Sequence, residues 1–397
     1  MQVVFAQEHF PTEVISTIFL AGPTPRDYTQ VQSWRDAALA ALEKAGFQGH
    51  VFVPEPRDKV WKKDPGAYDA QIEWEDEALN RADMILFWIP REVPNMLGLT
   101  TNDEWGVWKD SGKVVLGAPP DAVSTNYQKY HAEKLGVQVF DNLEATVQAA
   151  VERVKVGCPR SGVECQVPMH IWNTPYFRAW YNAQRHAGNR VERVRVSWSL
   201  QVGPKKDIPV LWVVDAHVFI TAENRIKDNE VIVGRSDIAA TVLWQRATNL
   251  RDTQVVLVRE FRTPSRSFDG YVRELPGGSS KNHGTFFQTA VEELHEETNI
   301  VVAAEPTLTI AKDRLMTHPP RQMAATLSCF SGACFSAEVT ADEMSKIRAT
   351  IGKVHGVVED GERTYIEVRT VGELLDFDVT DWSTLGMIFM ALSKAMR

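Results

Sequence analysis

Three glutamates in the stretch Glu274 to Ile300, ELPGGSSKNHGTFFQTAVEELHEETNI, have the spacing to hold a cation: Glu293, Glu296 and Glu297. Carboxylates at i, i+3 and i+4 are neighbours on a helix surface and repel one another by ~0.2–0.5 kcal/mol per pair. A divalent cation converts that repulsion into a site, because magnesium takes oxygen ligands in octahedral array and usually shares them with substrate phosphates. The same pattern also suits a solvated acidic helix face. The elements around the glutamates decide between the two.

Those elements read as a strand end, a Gly-Gly turn, a short loop and a helix. Phe287, Ala290, Val291 and Leu294 recur at helical spacing and form a stripe that can pack on a sheet. The three glutamates fall on the opposite side. The stretch resembles the Nudix box, G-x5-E-x7-R-E-U-x-E-E-x-G-U with U apolar. With Gly278 as its first glycine, Glu293, Leu294, Glu296, Glu297 and Ile300 match, while Gly284, Glu292 and Asn299 replace the family's Glu, Arg and second Gly. Asn tolerates the left-handed conformation favoured at helix ends. Glu292 puts a negative charge where the family has the arginine that orients a catalytic glutamate. The resemblance implies Mg2+ (or Mn2+) held by Glu293, Glu296 and Glu297, with Glu297 also catalytic.

Two flanking stretches sharpen the substrate. VVLVREFRTPSRSFDGYVRELPGG, Val255 to Gly278, is similar to the segment before the box in ADP-ribose pyrophosphatases, and marks Arg262 and Glu274 as substrate-binding. KVHGVVEDGERTYIEVRTVGELL, Lys353 to Leu375, resembles the late loop from which those enzymes project an acidic residue that orients or deprotonates the attacking water. Glu359 and Glu362 are the candidates. The Asp-Gly between them is equally a turn signal.

In the first part of the chain, strand and helix signals alternate from Ser16 to about Val156. Strands are expected at Thr17–Leu20, Val51–Val53, Met84–Ile89, Lys113–Gly117 and Val137–Phe140. Helices are expected near Tyr28–Lys44, Tyr68–Ala82, Asp103–Lys109 and Leu143–Val154. Near-continuous apolar strands between amphipathic helices imply an α/β fold, a doubly wound parallel sheet of flavodoxin or Rossmann type. Ligands in such sheets sit beyond the carboxyl ends of the strands, here Gly22, Pro23 and Arg26 after one strand and the loop from Pro90 to Asn102 after another.

At those places the chain resembles the nucleoside 2-deoxyribosyltransferase family, in its divergent second branch. The marks are IFLAGP (Ile18 to Pro23), IEWEDEALNRADMILFWIP (Ile72 to Pro90), LTTNDEWG (Leu99 to Gly106) and GKVVLGAP (Gly112 to Pro119). The resemblance makes Glu104, opening a helix two residues before Gly106, the nucleophile. A carboxylate can attack or stabilise an anomeric carbon as the base departs, and a helix start favours its ionised form. Glu75 falls where the family has the Asp that contacts or protonates the base, with Trp74 beside it. Asn102 and Asp103 join the substrate-binding set. A further sugar-binding Asp of the family falls near Gly98, so that ligand is absent, which leaves open ribose for deoxyribose and water for an acceptor base.

The whole chain bounds these readings. At 397 residues it exceeds one ordinary core. Residues 1–157 are expected to form the deoxyribosyltransferase-like domain, 158–169 a linker, and 170–397 an α+β Nudix sandwich opened by an aromatic docking helix. A net charge of −9 with no basic run argues against stable nucleic-acid binding and leaves small anionic nucleotides possible, while the two resemblances together imply a nucleoside, nucleotide or NAD-like substrate. No apolar run reaches the ~20 residues of a membrane span, and the N-terminus lacks a signal-peptide layout, so a cytoplasmic protein is expected. Cys158, Cys165, Cys329 and Cys334 lack zinc-knuckle spacing and read as buried thiols. The deoxyribosyltransferase resemblance implies a homodimer or higher oligomer. The expected function is bifunctional: N-glycosidic cleavage or transfer by the first domain and metal-dependent hydrolysis of an ADP-ribose-like diphosphate by the second. In a rival reading the altered box is a nucleotide sensor that regulates the first domain.

Overall fold

The apolar runs of the first part become parallel strands because each is closed by a Gly, Pro or charged turn and followed by an amphipathic helix. The chain, described here as a computed structural model, is placed at residues 1–61, 64–203, 208–279, 284–302, 310–357, 361–377 and 380–395. It divides into two units, Met1–Arg235 and Ser236–Arg397.

The first unit begins β1 (Gln2–Phe5), β2 (Glu13–Val14), β3 (Thr17–Ala21), α1 (Trp34–Lys44), β4 (His50–Val53) and α2 (Ala67–Arg81). It continues β5 (Met84–Trp88), α3 (Leu99–Trp108), β6 (Val114–Gly117), α4 (Asn126–Leu135), β7 (Val139–Phe140) and α5 (Leu143–Val154). Six parallel strands run in the order β1-β4-β3-β5-β6-β7. Phe19, Phe52, Ile85, Phe87 and Leu116 pack with Trp74, Trp105 and Trp108 of α2 and α3 on one face. Helix α5 packs against β5, β6 and α1. Successive strands leave β3 in opposite directions, so the crevice between β3 and β5 at their carboxyl ends is the switch point where such sheets bind ligands.

Several boundaries differ from the sequence reading, each for a local reason. Helix α1 starts at Trp34 because Ser33 caps it, its hydroxyl accepting from the Arg35 N–H. Helix α3 starts at Leu99, ahead of the expected Asp103, from a left-handed Gly98. Strand β1 and helix α4 were not anticipated: β1 precedes the first mark of the family, and α4 buries only Gln128 and Ala132.

The stretch 158–169, expected as a linker, packs inside the first unit. Strand β8 (Arg160–Ser161) pairs with β2. Arg160 forms a fully buried ion pair with Asp83, donating to Oδ1 at 2.8 Å and Oδ2 at 2.5 Å. The same carboxylate accepts from the backbone N–H groups of Thr17 and Met169 at 2.8 and 2.6 Å. A Pro- and Gly-rich composition looked like a spacer, and a buried charge pair made it part of the core. Then come α6 (Met169–Trp172), α7 (Pro175–His186), β9 (Arg190–Val202), β10 (Ile208–Ile220), β11 (Arg225–Lys227) and β12 (Val231–Arg235). Strand β10 pairs antiparallel with β9, β11 and β12. Tyr176 stacks on Trp212 and Trp172 packs edge-on to Tyr181, so the aromatics of this stretch pack on one another.

The second unit holds β13 (Ile238–Gln245), β14 (Gln254–Phe261), β15 (Tyr271–Glu274), β16 (Gly277–Ser279), α8 (Phe286–Thr298) and β17 (Met316–Thr317). It closes with β18 (Arg321–Gln322), β19 (Ser331–Glu338), α9 (Ala341–Arg348), β20 (Thr364–Thr370), α10 (Val371–Asp376) and α11 (Trp382–Ala395). Its strands form one mixed sheet in which β13 and β19 are parallel and the other pairs antiparallel. Ala290 and Leu294 of α8 pack with Met344 and Ile347 of α9 on Leu243, Val256 and Phe335, while Leu374, Ile388 and Leu392 cover Val242, Val255 and Leu257 on the other side. The sheet is therefore sandwiched between helices. Among the described residues no helix is long and apolar enough to cross a membrane.

Candidate active sites

The switch point of the first unit opens into a cavity of about 340 Å3. Gly22 and Thr24 reach it from the loop after β3, Arg35 from α1, Gln71 and Glu75 from α2, and Gly98, Thr101 and Glu104 from α3. Gly22 is required by space: a Cβ there would lie 2.1 Å from the Trp88 carbonyl oxygen and 2.7 Å from the Trp34 ring. Arg35 holds the loop in place. Only 1% exposed, it donates to the Leu20 and Gly22 carbonyls, to the Thr24 hydroxyl and to Glu55 at 2.7 Å. Trp34 adds an N–H to the Pro23 carbonyl.

Glu75 and Glu104 come from different helices and face this one cavity. Gln71 donates its amide to Glu75 at 2.6 Å. Glu104 has no hydrogen bond or ion pair among the described residues. Burial, with the Glu75 charge nearby, pushes the Glu104 carboxyl up to about 8, against the pull of Arg35. Burial also raises Glu75, and the Gln71 amide and Arg35 oppose it. The expectation that a helix start keeps Glu104 ionised is corrected: because α3 begins at Leu99, Glu104 sits in its second turn, where the dipole has faded. Burial raises both carboxyls that face this cavity, and two such carboxyls can divide between them the work of giving a proton and holding an anion.

The other expected residues of this half lie elsewhere. Trp74 is core, stacked on Phe10 with its N–H on the Glu8 carbonyl. Arg26 is exposed, and its backbone N–H bonds the Asn95 carbonyl. Asn102 accepts from Arg91 and Gln128, and Asp103 is exposed. None of these four lines the cavity. Pro23 packs against Gly98, where a Cβ would come within 3.0 Å of its ring. Sequence reasoning missed Arg35 and Gln71. Arg35 had a signal: it lies on the apolar stripe of α1, at helical spacing from Ala38 and Leu42, where a cation needs buried partners.

In the second unit helix α8 starts from a capping box in which Thr285 accepts from the Gln288 N–H and Gln288 accepts from the Thr285 N–H. It ends at a left-handed Asn299. Of the expected ligands, Glu297 is buried and accepts from the Gly277 N–H at 2.9 Å, Glu293 lies against Gly278, and Glu296 is exposed. Burial raises the Glu297 carboxyl well above the ordinary range despite the Gly277 bond, and Glu293, Glu274 and Glu362 push the same way. Among the described residues the carboxylates that converge are Glu260, Glu297 and Glu362, with one oxygen of each within 4.8 Å of the others. An all-oxygen anionic set suits a hard cation such as Mg2+ or Mn2+. Glu260 on β14 was not anticipated. Arg262 bridges Glu260 and Glu274 at 2.7 and 3.1 Å. Glu359 lies outside the described residues.

The family model described as nucleoside 2-deoxyribosyltransferase like matches residues 15–122, the span from β3 through β6 that carries Glu75 and Glu104. The chain thus contains a nucleoside 2-deoxyribosyltransferase-like domain at those residues. No curated protein matches the chain.

Proposed function

We propose that the first unit breaks or exchanges the N-glycosidic bond of a nucleoside or nucleotide. The observation that supports this most directly is the pair Glu75 and Glu104 in one cavity at the switch point, inside the matched span. In the reacting form Glu75 is protonated and Glu104 is ionised. The Glu104 carboxylate bonds to the anomeric carbon as the C–N bond breaks. The electron pair of that bond goes to the departing base, which takes the Glu75 proton. Water or an acceptor base then attacks the same carbon, the ester C–O electrons return to Glu104, and the proton of the attacking group returns to Glu75. The positive charge that develops on the sugar offsets the cost of ionising Glu104 in its half-buried place.

For the second unit we propose hydrolysis of a diphosphate of ADP-ribose type, with NAD as a compound that would meet both units in turn. The Nudix resemblance of α8 and the convergence of Glu260, Glu297 and Glu362 support it. Those three would hold Mg2+ or Mn2+, which when bound supplies charge neutralisation on the phosphates. Glu362 orients or deprotonates the attacking water, and Arg262 and Glu274 contact the substrate. The sensor reading draws on two observations: Arg262 already pairs with both Glu260 and Glu274, and Glu292 stands where the resembled motif has its arginine. Calorimetry with ADP-ribose beside a turnover assay separates the two. Formation of AMP in the presence of Mg2+ supports the hydrolase, and tight binding without AMP supports the sensor.

A further inference from the structure

Gln71 stands on α2 one turn before Glu75, is only 5% exposed, and lines the same cavity. Its Nε2 donates to Glu75 Oε1 at 2.6 Å. Its own Oε1 is buried and has no partner among the described residues. A buried amide is ordinarily fixed by bonds at both ends, because a buried polar atom without a partner has lost its water and gained nothing in exchange. Here one end is fixed and the other is bare.

A bare far end has a consequence for proton transfer. An amide whose oxygen is pinned by a backbone N–H can only donate to the carboxyl beside it, and so favours the anion alone. An amide free at its far end can turn over. Before the turn it gives N–H to the Glu75 anion, and after it gives C=O to the Glu75 acid. Each orientation makes one bond and leaves one polar atom unpartnered, so the turn involves no net loss of hydrogen bonds. Glu75 needs both states in the reaction set out above, since it gives a proton to the leaving base and takes one back.

Resting on that reading of the cavity, we propose that Gln71 is the positioning residue for Glu75 in both of its protonation states, its amide turning over as the proton leaves and returns. The charged and titratable groups around the pair are Arg35 from α1, Tyr68 on α2, and Glu104 with Asp103 on α3; Arg35 is itself matched by Glu55. None of them accepts a hydrogen bond from a protonated Glu75 among the described bonds, which leaves that task to Gln71.

Two variants of the full chain test it. Gln71→Met keeps the volume and removes both bonds, and Gln71→Lys keeps a donor and removes the acceptor. Base release is followed against pH, and the Glu75 carboxyl is titrated by 13C NMR, assigned with Glu75→Gln. The expected result is a fall in kcat of roughly 10- to 100-fold in both variants with little change in KM. The Glu75 midpoint should rise in Gln71→Met and fall in Gln71→Lys. Wild-type kcat and an unmoved midpoint in Gln71→Met, or wild-type kcat in Gln71→Lys, would overturn the proposal. Thermal melts identify a lysine variant that does not fold, and Gln71→Met then decides alone. If the wild type releases no base from any nucleoside or nucleotide, the glycosidic reading fails, while the direction of the two midpoints still decides whether Gln71 sets the protonation of Glu75.

Discussion

Glu104 carries the sharpest consequences at the scale of single residues. Burial and the nearby Glu75 charge hold its carboxyl up to about 8, and the proposed reaction needs one proton on the two carboxyls together. The kcat/KM profile for base release is therefore expected to be bell-shaped, falling as pH rises through about 8, where the last proton leaves. A profile flat from pH 6 to 10 would contradict it. The same shift has a stability sign. The folded state holds this proton more tightly than the unfolded chain, so Glu104 costs nothing below the ordinary carboxyl range and destabilises progressively as pH climbs towards about 8. Glu104→Gln should unfold like the wild type at pH 4 and at a higher temperature than the wild type at pH 9, measured by thermal melts at both. Glu75→Gln should lower base release by about 10²- to 10⁴-fold, the usual contribution of a general acid. At this scale the sequence was partly legible. The two carboxylates could be picked out by the motifs around them, but Gln71 and Arg35 act through neighbours that only the fold brings near, and Trp74 was read as a ligand because an aromatic beside an acid looks the same in a core as in a pocket.

Elements explain where the sequence reading slipped. The strands expected in the parallel sheet were placed within a residue or two because each is a short apolar run with a clear stop. Helix starts were harder, since a left-handed Gly98 begins α3 with no side-chain cap to mark it. That shift moved Glu104 from the helix end to the second turn, where burial and the nearby Glu75 charge set its proton affinity. The stretch 158–169 slipped for another reason: the Asp83–Arg160 pair joins residues far apart in the chain, and composition carries no trace of it. Asp83→Asn leaves a buried guanidinium without its counter-charge, so a loss of about 3–5 kcal/mol is expected in denaturant unfolding followed by tryptophan fluorescence. A loss under about 1 kcal/mol would mean that water reaches Arg160. Gly22→Ala should cost about 1–3 kcal/mol, because its methyl meets the Trp88 carbonyl and cannot be accommodated without moving the β3 loop. The binding of a nucleoside to the cavity should weaken in parallel.

For the whole molecule, the parallel sheet was visible in the near-continuous apolar runs of its strands. The boundary between units was not, because the antiparallel sheet of β9 to β12 belongs with the first unit and not with α8. Two separate carboxylate sites on one chain lead to the proposal of two separable activities. The measurement that tests this most directly follows free base and AMP by mass spectrometry, with NAD and a panel of nucleosides and nucleotides, for the wild type, Glu104→Gln and Glu297→Gln in the presence of Mg2+. The result expected is loss of base release in Glu104→Gln alone and loss of AMP formation from ADP-ribose in Glu297→Gln alone. Base release at the wild-type rate in Glu104→Gln would contradict the central claim.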